Sequence, residues 1–199
     1  NEVSSNAKTQ LDKWYATNIV GKTDEDGNLL TNYIVDAKFC NDRSITDKTY
    51  NSGYMLSQNT YYSPYTRLYQ NTNKTATLKC SGDMRDQFST TSSRGNAKLT
   101  YPIALITIDE VALAGGKYDT KNENYYLRTN GYFWTMTPSH FDALIAYAYV
   151  SFVHQTGLLN PWFNVSNWLG LRAVINIRSD VLISSGDGTV NSPYQLKLK

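Results

Sequence analysis

The chain has 199 residues, of which 41% are hydrophobic, and its mean hydropathy is -0.47. These values predict a soluble globular protein with enough residues for one domain, residues 1–199, and they exclude a disordered chain. No apolar run approaches the length of a membrane-spanning helix. The net charge of +2 comes from interspersed charges, which argues against a nucleic-acid-binding protein.

The sequence is unusually rich in tyrosine, with 16 residues, and Asn, Ser and Thr are frequent. These residue types dominate adaptable binding surfaces, because Tyr offers a large contact area with few torsions to immobilise. The alternative is that they reflect only a polar, secreted, β-rich protein.

Two cysteines, Cys40 and Cys80, stand outside any CxxC or Cys/His pattern, so zinc or redox roles are not expected. If paired, they close a loop of roughly 40 residues, and the chain-entropy model values that bond at about 4 kcal/mol. A disulfide predicts a location outside the cytoplasm. Two free buried thiols remain the alternative.

In chain order, residues 4–19 have the apolar spacing of an amphipathic helix, with a serine to cap it and Gly21 to end it. Residues 24–28 faintly resemble a calcium loop, but the glycine is misplaced and the bidentate Glu is missing, so a solvated turn is favoured. A short strand is predicted for residues 33–39. Short strands and loops are expected for residues 46–95.

The strongest local signal is a capping box formed by Thr107 and Glu110, with Ile106 and Val111 placed for a hydrophobic staple. The pattern predicts a helix that ends at residues 115–116. Acidic residues in its first turn complement the helix dipole, which favours a structural over a catalytic role.

The second half of the chain is predicted to be strands. Residues 125–136 read as a hairpin with an Asn-Gly turn. Residues 146–154 alternate, with Ala146, Ala148, Val150 and Val153 as the packed set. The remaining predicted elements are a turn at 155–157, a returning strand, a strand at 171–177, a strand at 181–183 and a hairpin turn at 186–188. Together the elements predict an α+β protein with two helices and a mainly antiparallel twisted sheet.

Several segments resemble an uncharacterised family of bacterial, largely Firmicute, surface proteins. The similar segments are Phe39-Cys40-Asn41-Asp42-Arg43-Ser44, Leu105-Ile106-Thr107-Ile108-Asp109-Glu110-Val111, Tyr125-Tyr126-Leu127, Trp134-Thr135-Met136-Thr137-Pro138, Gly170-Leu171-Arg172-Ala173-Val174-Ile175-Asn176-Ile177, Gly186-Asp187-Gly188-Thr189 and Pro193-Tyr194. Each motif is modest, but together they span nearly the whole chain.

That family is related to formylglycine-generating-enzyme-like domains, so the resemblance implies a C-type-lectin-like fold. The same fold serves the variable proteins of diversity-generating retroelements, whose ligand surface lies on late strands and loops. Here that surface would be residues 138–169. One departure is Arg172-Ala173-Val174, where the family usually has Arg-Pro-Val. Without that proline the backbone gains an N–H donor, so we expect a different local strand geometry there.

The favoured hypothesis is a non-catalytic, extracellular or virion-surface module for ligand binding or adhesion. Its aromatic rings would stack on sugar rings or protein side chains, with Asn160 and neighbouring amides supplying hydrogen bonds. Alternation favours outward-pointing side chains at Tyr147, Tyr149 and His154, although any single ring is as well explained by the core. The predicted ligand-binding residues are His140, Phe141, Asp142, Tyr147, Tyr149, Phe152, His154, Trp162, Phe163, Asn164, Asn167 and Trp168.

An enzyme is the less favoured hypothesis. In the oxidases related to this family, catalysis needs two cysteines late in the domain, whereas Cys40 and Cys80 lie early. A related iron-dependent branch needs three histidines, and this chain has only His140 and His154. We therefore expect no cofactor, with a structural calcium ion left open, and a protein or glycan receptor as partner. A third hypothesis is a structural tip or subunit domain of a pilus or phage tail fibre, in which the aromatic patch is a subunit contact.

Overall fold

A computed structural model describes residues 4–47, 60–70, 75–122, 124–125, 127–189 and 191–199. Over these ranges the protein is α+β, with few helices and a curled, mostly antiparallel sheet. The predicted class is confirmed at this level.

The first helix, α1, spans Asn6–Asn18 and confirms the helix predicted for residues 4–19. Ser5 caps it, because its hydroxyl accepts a hydrogen bond from a first-turn backbone N–H at 3.2 Å. Leu11 and Tyr15 are buried on one side of α1 and form a small core of their own, apart from the main one.

The predicted capping box is confirmed at the helix Ile108–Leu113, which is α3 in chain order. The Thr107 hydroxyl accepts from the Glu110 backbone N–H at 3.1 Å, and the Glu110 carboxylate accepts from the Thr107 backbone N–H at 2.7 Å. Ile106 and Val111 both lie in the main hydrophobic core, as the predicted staple requires.

The other helical segments are short. They are α2, Ser63–Tyr65, which continues into a π-helical turn, Thr66–Gln70, and two 3-10 turns, Leu30–Tyr33 and Met84–Asp86. The π-helical turn places Leu68 in the main core.

Thirteen strands occur in the described ranges. They are β1 Phe39–Cys40, β2 Ile45–Asp47, β3 Thr60–Tyr62, β4 Gln87–Phe88, β5 Ala104–Leu105, β6 Lys117–Tyr118, β7 Phe133–Asp142, β8 Tyr147–Val153, β9 Leu158–Asn164, β10 Gly170–Leu171, β11 Ala173–Val174, β12 Leu182–Ser185 and β13 Gln195–Lys197.

The main sheet has the order β2-β3-β7-β8-β9-β6, and β10 also pairs with β7. All of these pairings are antiparallel except β6 with β9 and β7 with β10. The long strands β7, β8 and β9 form a meander. Gly157 lies in the turn between β8 and β9 with a φ of +76°, and a Cβ there would come within 2.2 Å of the Asn122 carbonyl oxygen, so this turn requires glycine.

The main core lies between α3, the π-helical turn and one face of the meander. Its fully or nearly buried members are Leu68, Ile106, Ile108, Val111, Tyr118, Tyr125, Phe133, Val153 and Leu159. Burial of this set provides the scaffold on which the meander is presented.

A disulfide joins Cys40 to Cys80, as the sequence predicted. It connects β1 to the segment that follows the π-helical turn. The short strands and loops predicted for residues 46–95 are present where that region is described. The part of the prediction that falls on 48–59 and 71–74 lies outside the described residues.

The strand predicted for residues 33–39 is wrong over most of its length. The chain instead closes a 3-10 turn there, because the Ile34 backbone N–H donates to the Thr31 carbonyl oxygen at 3.3 Å. The Tyr33 hydroxyl also hydrogen-bonds the Asp24 carboxylate, which fixes the turn against the preceding loop.

The hairpin predicted for residues 125–136 forms only its second strand. The Tyr125 and Arg128 backbone N–H groups donate to carbonyl oxygens three residues earlier, so the chain turns before it reaches the predicted Asn-Gly site. Residues 123 and 126 lie outside the described ranges.

The single strand predicted for residues 171–177 divides into β10 and β11. Arg172 separates them, since its guanidinium donates to the Leu127 carbonyl oxygen and lies 5.1 Å from the ring centre of Phe133. The last hairpin is confirmed, because β12 and β13 pair antiparallel on either side of a turn at 186–188.

The packed set predicted on β8 is half wrong. Ala146 and Ala148 are exposed, whereas Val153 is fully buried and Val150 is half-buried. The reason is that β8 is exposed at its amino-terminal end and becomes buried only from Ser151 onward.

Candidate ligand-binding surface

Side chains on β7, β8 and β9 alternate between two faces of the sheet. Phe133, Val153 and Leu159 are cross-strand neighbours that belong to the main core. We call their side the inner face. The adjacent row, which contains Trp134 and Phe152, lies on the opposite side, which we call the open face.

His140 is buried on the inner face. Its imidazole lies between two tyrosine rings on neighbouring strands, with centroid distances of 5.4 Å to Tyr61 and 4.2 Å to Tyr149. Its Nδ1 is 2.8 Å from the Ser139 hydroxyl. Only 3% of His140 is exposed, because neighbouring rings cover it, so the structure places this predicted ligand residue in the packed interior of the sheet.

Burial lowers the pKa of His140 to about 4, because a charged imidazole would lose its hydration among these rings, and the carboxylate of Asp142 offsets only part of that effect. His140 is therefore neutral at physiological pH and acts as a packed ring in the sheet.

Three other predicted ligand residues stabilise local structure. The Asp142 carboxylate accepts from the Leu144 backbone N–H at 2.9 Å and orders the turn between β7 and β8. The Asn164 side-chain oxygen accepts from the Ser166 backbone N–H at 3.1 Å and turns the chain after β9. Tyr149 is half-buried, and its ring is stacked on His140 as described above.

Trp162 lies at the boundary between the inner face and the open face. Its ring packs edge-on against Tyr65 and Tyr69 at centroid distances of 5.8 and 6.0 Å, and against His140 at 4.9 Å. It nevertheless leaves 45% of its surface exposed and also lines the groove of the open face.

The open face has an aromatic floor. Phe152 is its centre, with ring-centroid distances of 4.7 Å to Phe163, 6.1 Å to Tyr132 and 6.3 Å to Trp134. Phe152 itself is only 3% exposed. The surrounding rings cover Phe152, so the structure places this predicted ligand residue beneath the residues that are accessible.

An open groove of about 650 Å³ lies over this floor. Its most exposed member is Trp168, with 96% of its surface accessible, on the loop that follows β9. The residues that line it are Tyr132, Phe152, His154, Asn160, Trp162, Phe163, Asn167, Trp168 and Leu169.

Three polar side chains of the groove are only partly engaged within the protein. The Asn160 side-chain oxygen accepts from the Trp162 backbone N–H at 2.9 Å, and the Asn167 side-chain nitrogen donates to Asn164. His154 Nδ1 accepts from the Thr156 backbone N–H at 3.1 Å. A neutral His154 therefore carries its proton on Nε2.

A second exposed feature is the end of the β7–β8 hairpin, which we call the tip. It presents Phe141, Leu144, Ile145, Tyr147 and Val165, with 38%, 69%, 48%, 49% and 58% of their surfaces exposed. Val165 joins this group because its backbone N–H donates to the Ala148 carbonyl oxygen at 3.0 Å. Turns of this kind are usually polar, so an apolar turn departs from the usual composition.

The groove and the tip occur in a stretch with almost no charge. Between residues 129 and 171, Asp142 is the one side chain with a formal charge, whereas charged residues make up 18% of the whole chain. Interfaces are depleted of charge and enriched in aromatic residues at their centres. This depletion is visible in the sequence, and it would have pointed to the residues that sequence reasoning missed, which are Tyr132, Leu144, Ile145, Val165 and Leu169.

The structure thus brings Phe152, His154, Trp162, Phe163, Asn167 and Trp168 together around the groove, and Phe141 and Tyr147 at the tip. Among the described residues, no group of three or more His, Cys, Asp or Glu side chains is arranged to hold a metal ion. Of the helices in the described ranges, none combines the length and hydropathy that crossing a bilayer requires.

Comparison with known proteins adds no relative: no family model, no curated protein and no solved structure matches this chain. The resemblance to surface proteins with a C-type-lectin-like fold therefore stays a prediction.

Proposed function

We propose that this protein is a non-catalytic, extracellular ligand-binding or adhesion module, and that its ligand contacts the groove of the open face and the tip. The observation that carries the proposal is that exposed apolar side chains, Trp168 at the groove and Leu144 at the tip among them, lie in a stretch of chain with a single formal charge. A concentration of exposed apolar side chains on a monomeric protein is typical of a surface that another molecule covers.

The proposed scaffold is a C-type-lectin-like fold of the kind used by the variable proteins of diversity-generating retroelements. The α+β class and the curled, mostly antiparallel sheet are compatible with that assignment. The position of the groove and tip on late strands and loops matches the location that the resemblance implies for a ligand surface. The Cys40–Cys80 disulfide supports a location in an oxidising compartment, at the cell or virion surface.

A catalytic role is disfavoured by the burial of the serine–histidine contact in the inner face. Ser139 is fully buried and His140 nearly so, which leaves a substrate no route to either side chain. A structural role as a pilus or tail-fibre domain is the second candidate. It is favoured by Trp14 of α1, which is 46% exposed beside Leu171, which is 37% exposed, and offers a further apolar contact.

The test is to screen the purified protein against glycan and protein arrays, together with two variants. Leu144→Ser/Ile145→Ser changes the tip and Trp168→Ala changes the groove, and both leave the main core intact. Trp14→Ala is the matched control, because it removes an exposed indole from a different part of the molecule. We expect the first two variants to lose the array signal at an unchanged Tm, and the control to keep it.

A signal that survives both the tip and the groove variants would contradict the proposal. Stable oligomers that dissociate in the Trp14→Ala variant, with no array signal, would favour the structural candidate.

A further inference from the structure

We infer that the groove of the open face binds a neutral saccharide, whose ring stacks on Trp168 and whose hydroxyl groups hydrogen-bond to the amide and imidazole groups beside it. This inference rests on the proposed function and names the class of ligand for the same site.

The groove has an exposed aromatic surface on which a sugar ring can stack. With 96% of its surface exposed, the Trp168 indole offers accessible ring area, and Tyr132 on the opposite part of the groove is 36% exposed. Aromatic faces carry a negative partial charge, so they attract the polarised C–H groups on the flat side of a pyranose ring. The Tyr132 ring is held in place by buried Phe152, at a centroid distance of 6.1 Å, and by edge-on packing against His154 at 4.5 Å.

Polar side chains of the groove also keep hydrogen-bonding groups that no contact among the described residues uses. Since the Asn160 oxygen already accepts from Trp162 N, its side-chain NH2 is the group left for a ligand. Asn167 is the reverse case, because its nitrogen is engaged and its oxygen is left. Together with His154 Nε2–H, the groove offers two kinds of donor and one acceptor. A hydroxyl both donates and accepts, so a sugar can use all three.

The absence of charge from the groove favours a neutral sugar over an anionic one. None of the residues that line the groove has a formal charge. The two cations nearest to the groove along the chain are engaged within the protein: Arg172 by the Leu127 carbonyl oxygen and the Phe133 ring, and Arg128 by the Gln155 carbonyl oxygen at 2.9 Å. An anionic sugar would therefore lose hydration without gaining a counter-charge. The groove also lacks a carboxylate to hold calcium, so recognition through a bridging calcium ion has no ligands there.

The experiment is affinity electrophoresis and isothermal titration in EDTA with soluble polysaccharides. Mannan, galactomannan, xyloglucan and mixed-linkage β-glucan are the neutral probes, and polygalacturonate and alginate are the anionic probes. A glycan array of neutral and acidic oligosaccharides extends the panel to chain ends.

We expect at least one neutral glycan to bind in EDTA and the anionic polysaccharides not to bind. Trp168→Ala should weaken that binding at least tenfold, and Trp14→Ala should leave it unchanged. Asn160→Asp should also weaken it, because it keeps the oxygen that accepts from Trp162 N but removes the donor. Circular dichroism and Tm should be unchanged in all three variants.

Binding only to anionic glycans, binding only with calcium, or binding unaffected by Trp168→Ala would each overturn the inference. A protein ligand that depends on the tip or groove, with no glycan bound, would overturn the saccharide inference and leave the proposed function standing. No binding to any glycan or protein would count against both.

Discussion

The inner and open faces of the meander are built from the same kinds of residue, and they differ in what covers them. On the inner face, buried hydroxyls are engaged: Thr135 Oγ1 donates to the Ser151 carbonyl oxygen at 2.6 Å, and Thr137 Oγ1 accepts from the Ile108 backbone N–H at 3.0 Å. On the open face, polar side chains keep unused hydrogen-bonding capacity and Trp168 faces solvent.

This difference teaches that aromatic residues next to each other in sequence serve opposite purposes. Phe133 is packed in the core, while Trp134 helps to form the floor of a groove. Because the core does not depend on the exposed positions, those positions can change without unfolding the protein. We therefore expect substitutions on the inner face to change stability and substitutions on the open face to change binding.

The largest effect is expected at Arg67, in the π-helical turn that packs on the inner face. Its guanidinium donates to Asp109 at 3.0 and 2.5 Å and to Asp42 at 2.5 Å. Burial raises the pKa of Asp42, but hydrogen bonds from Ser44 and Arg67 outweigh it and lower that pKa below its usual value. Arg67→Ala leaves two carboxylates without a counter-charge, and we expect a loss of about 3–5 kcal/mol in the free energy of unfolding.

Chemical denaturation checks this value. The matched control is Arg178→Ala, which breaks a pair with Asp180 whose side chains are 46% and 48% exposed. There we expect about 0–1 kcal/mol. Equal losses in the two variants would show that the buried network does not hold the inner face.

A cavity on the inner face is expected to have the next largest effect. Leu159 is fully buried between α3 and β6 in the main core. Leu159→Ala should cost about 2–5 kcal/mol, as other truncations of buried leucines do. Trp168→Ala removes a larger side chain from the open face and should change stability by less than about 0.5 kcal/mol. If Trp168→Ala proves the more destabilising, the distinction between the two faces fails.

The pH dependence of stability should report on His140. Its pKa is about 4 in the folded protein, because burial disfavours the charged form, and 6.5 is its ordinary value. Between these values the unfolded state binds a proton that the folded state does not, so stability falls as pH falls from 6.5 to 4. The loss is on the order of 3 kcal/mol.

Urea denaturation at intervals between pH 7.5 and 4 measures this slope. Carboxyl groups with lowered pKa, such as Asp36 and Asp42, lose their contribution at lower pH, below about 4. His140→Phe keeps a ring between the two tyrosines and should flatten the slope. A slope unchanged in His140→Phe would assign it to other groups.

Local signals in the sequence were sufficient to predict several structural elements. The caps of α1 and α3 depend on residues within four positions, and the turn at 155–157 contains its own glycine. What the sequence could not indicate is the face on which each ring lies. The register of β7 against β8 shifts between Pro138 and His140, so Ser139 and His140 are both buried and alternation is broken.

A one-residue slip moves every later side chain to the other face. The same happens in β9, where Asn160 pairs with Phe152 and Phe163 pairs with Val150, so that Trp162 leaves the open-face row and its ring packs against His140 at 4.9 Å, at the boundary between the two faces. Such bulges depend on pairing between strands, and period-two reasoning from a single strand does not detect them. For this reason the predicted ligand residues divide between groove, tip and core.

The smallest effect that still separates the two roles is expected at Tyr149 and Tyr147, which are two residues apart on β8. Tyr149 is half-buried and stacks on His140 at 4.2 Å, and burial raises the pKa of its hydroxyl. Tyr149→Ala should therefore cost about 1–2 kcal/mol, from the lost stacking and buried area. Tyr147 is 49% exposed at the tip, and Tyr147→Ala should change the free energy of unfolding by less than about 0.5 kcal/mol.

In a ligand assay at equal folded concentration, we expect Tyr147→Ala to weaken binding, because its ring belongs to the contact surface. We expect Tyr149→Ala to act mainly on stability. The opposite assignment of the two variants would place the ligand over the stacked rings of the inner face instead of at the tip.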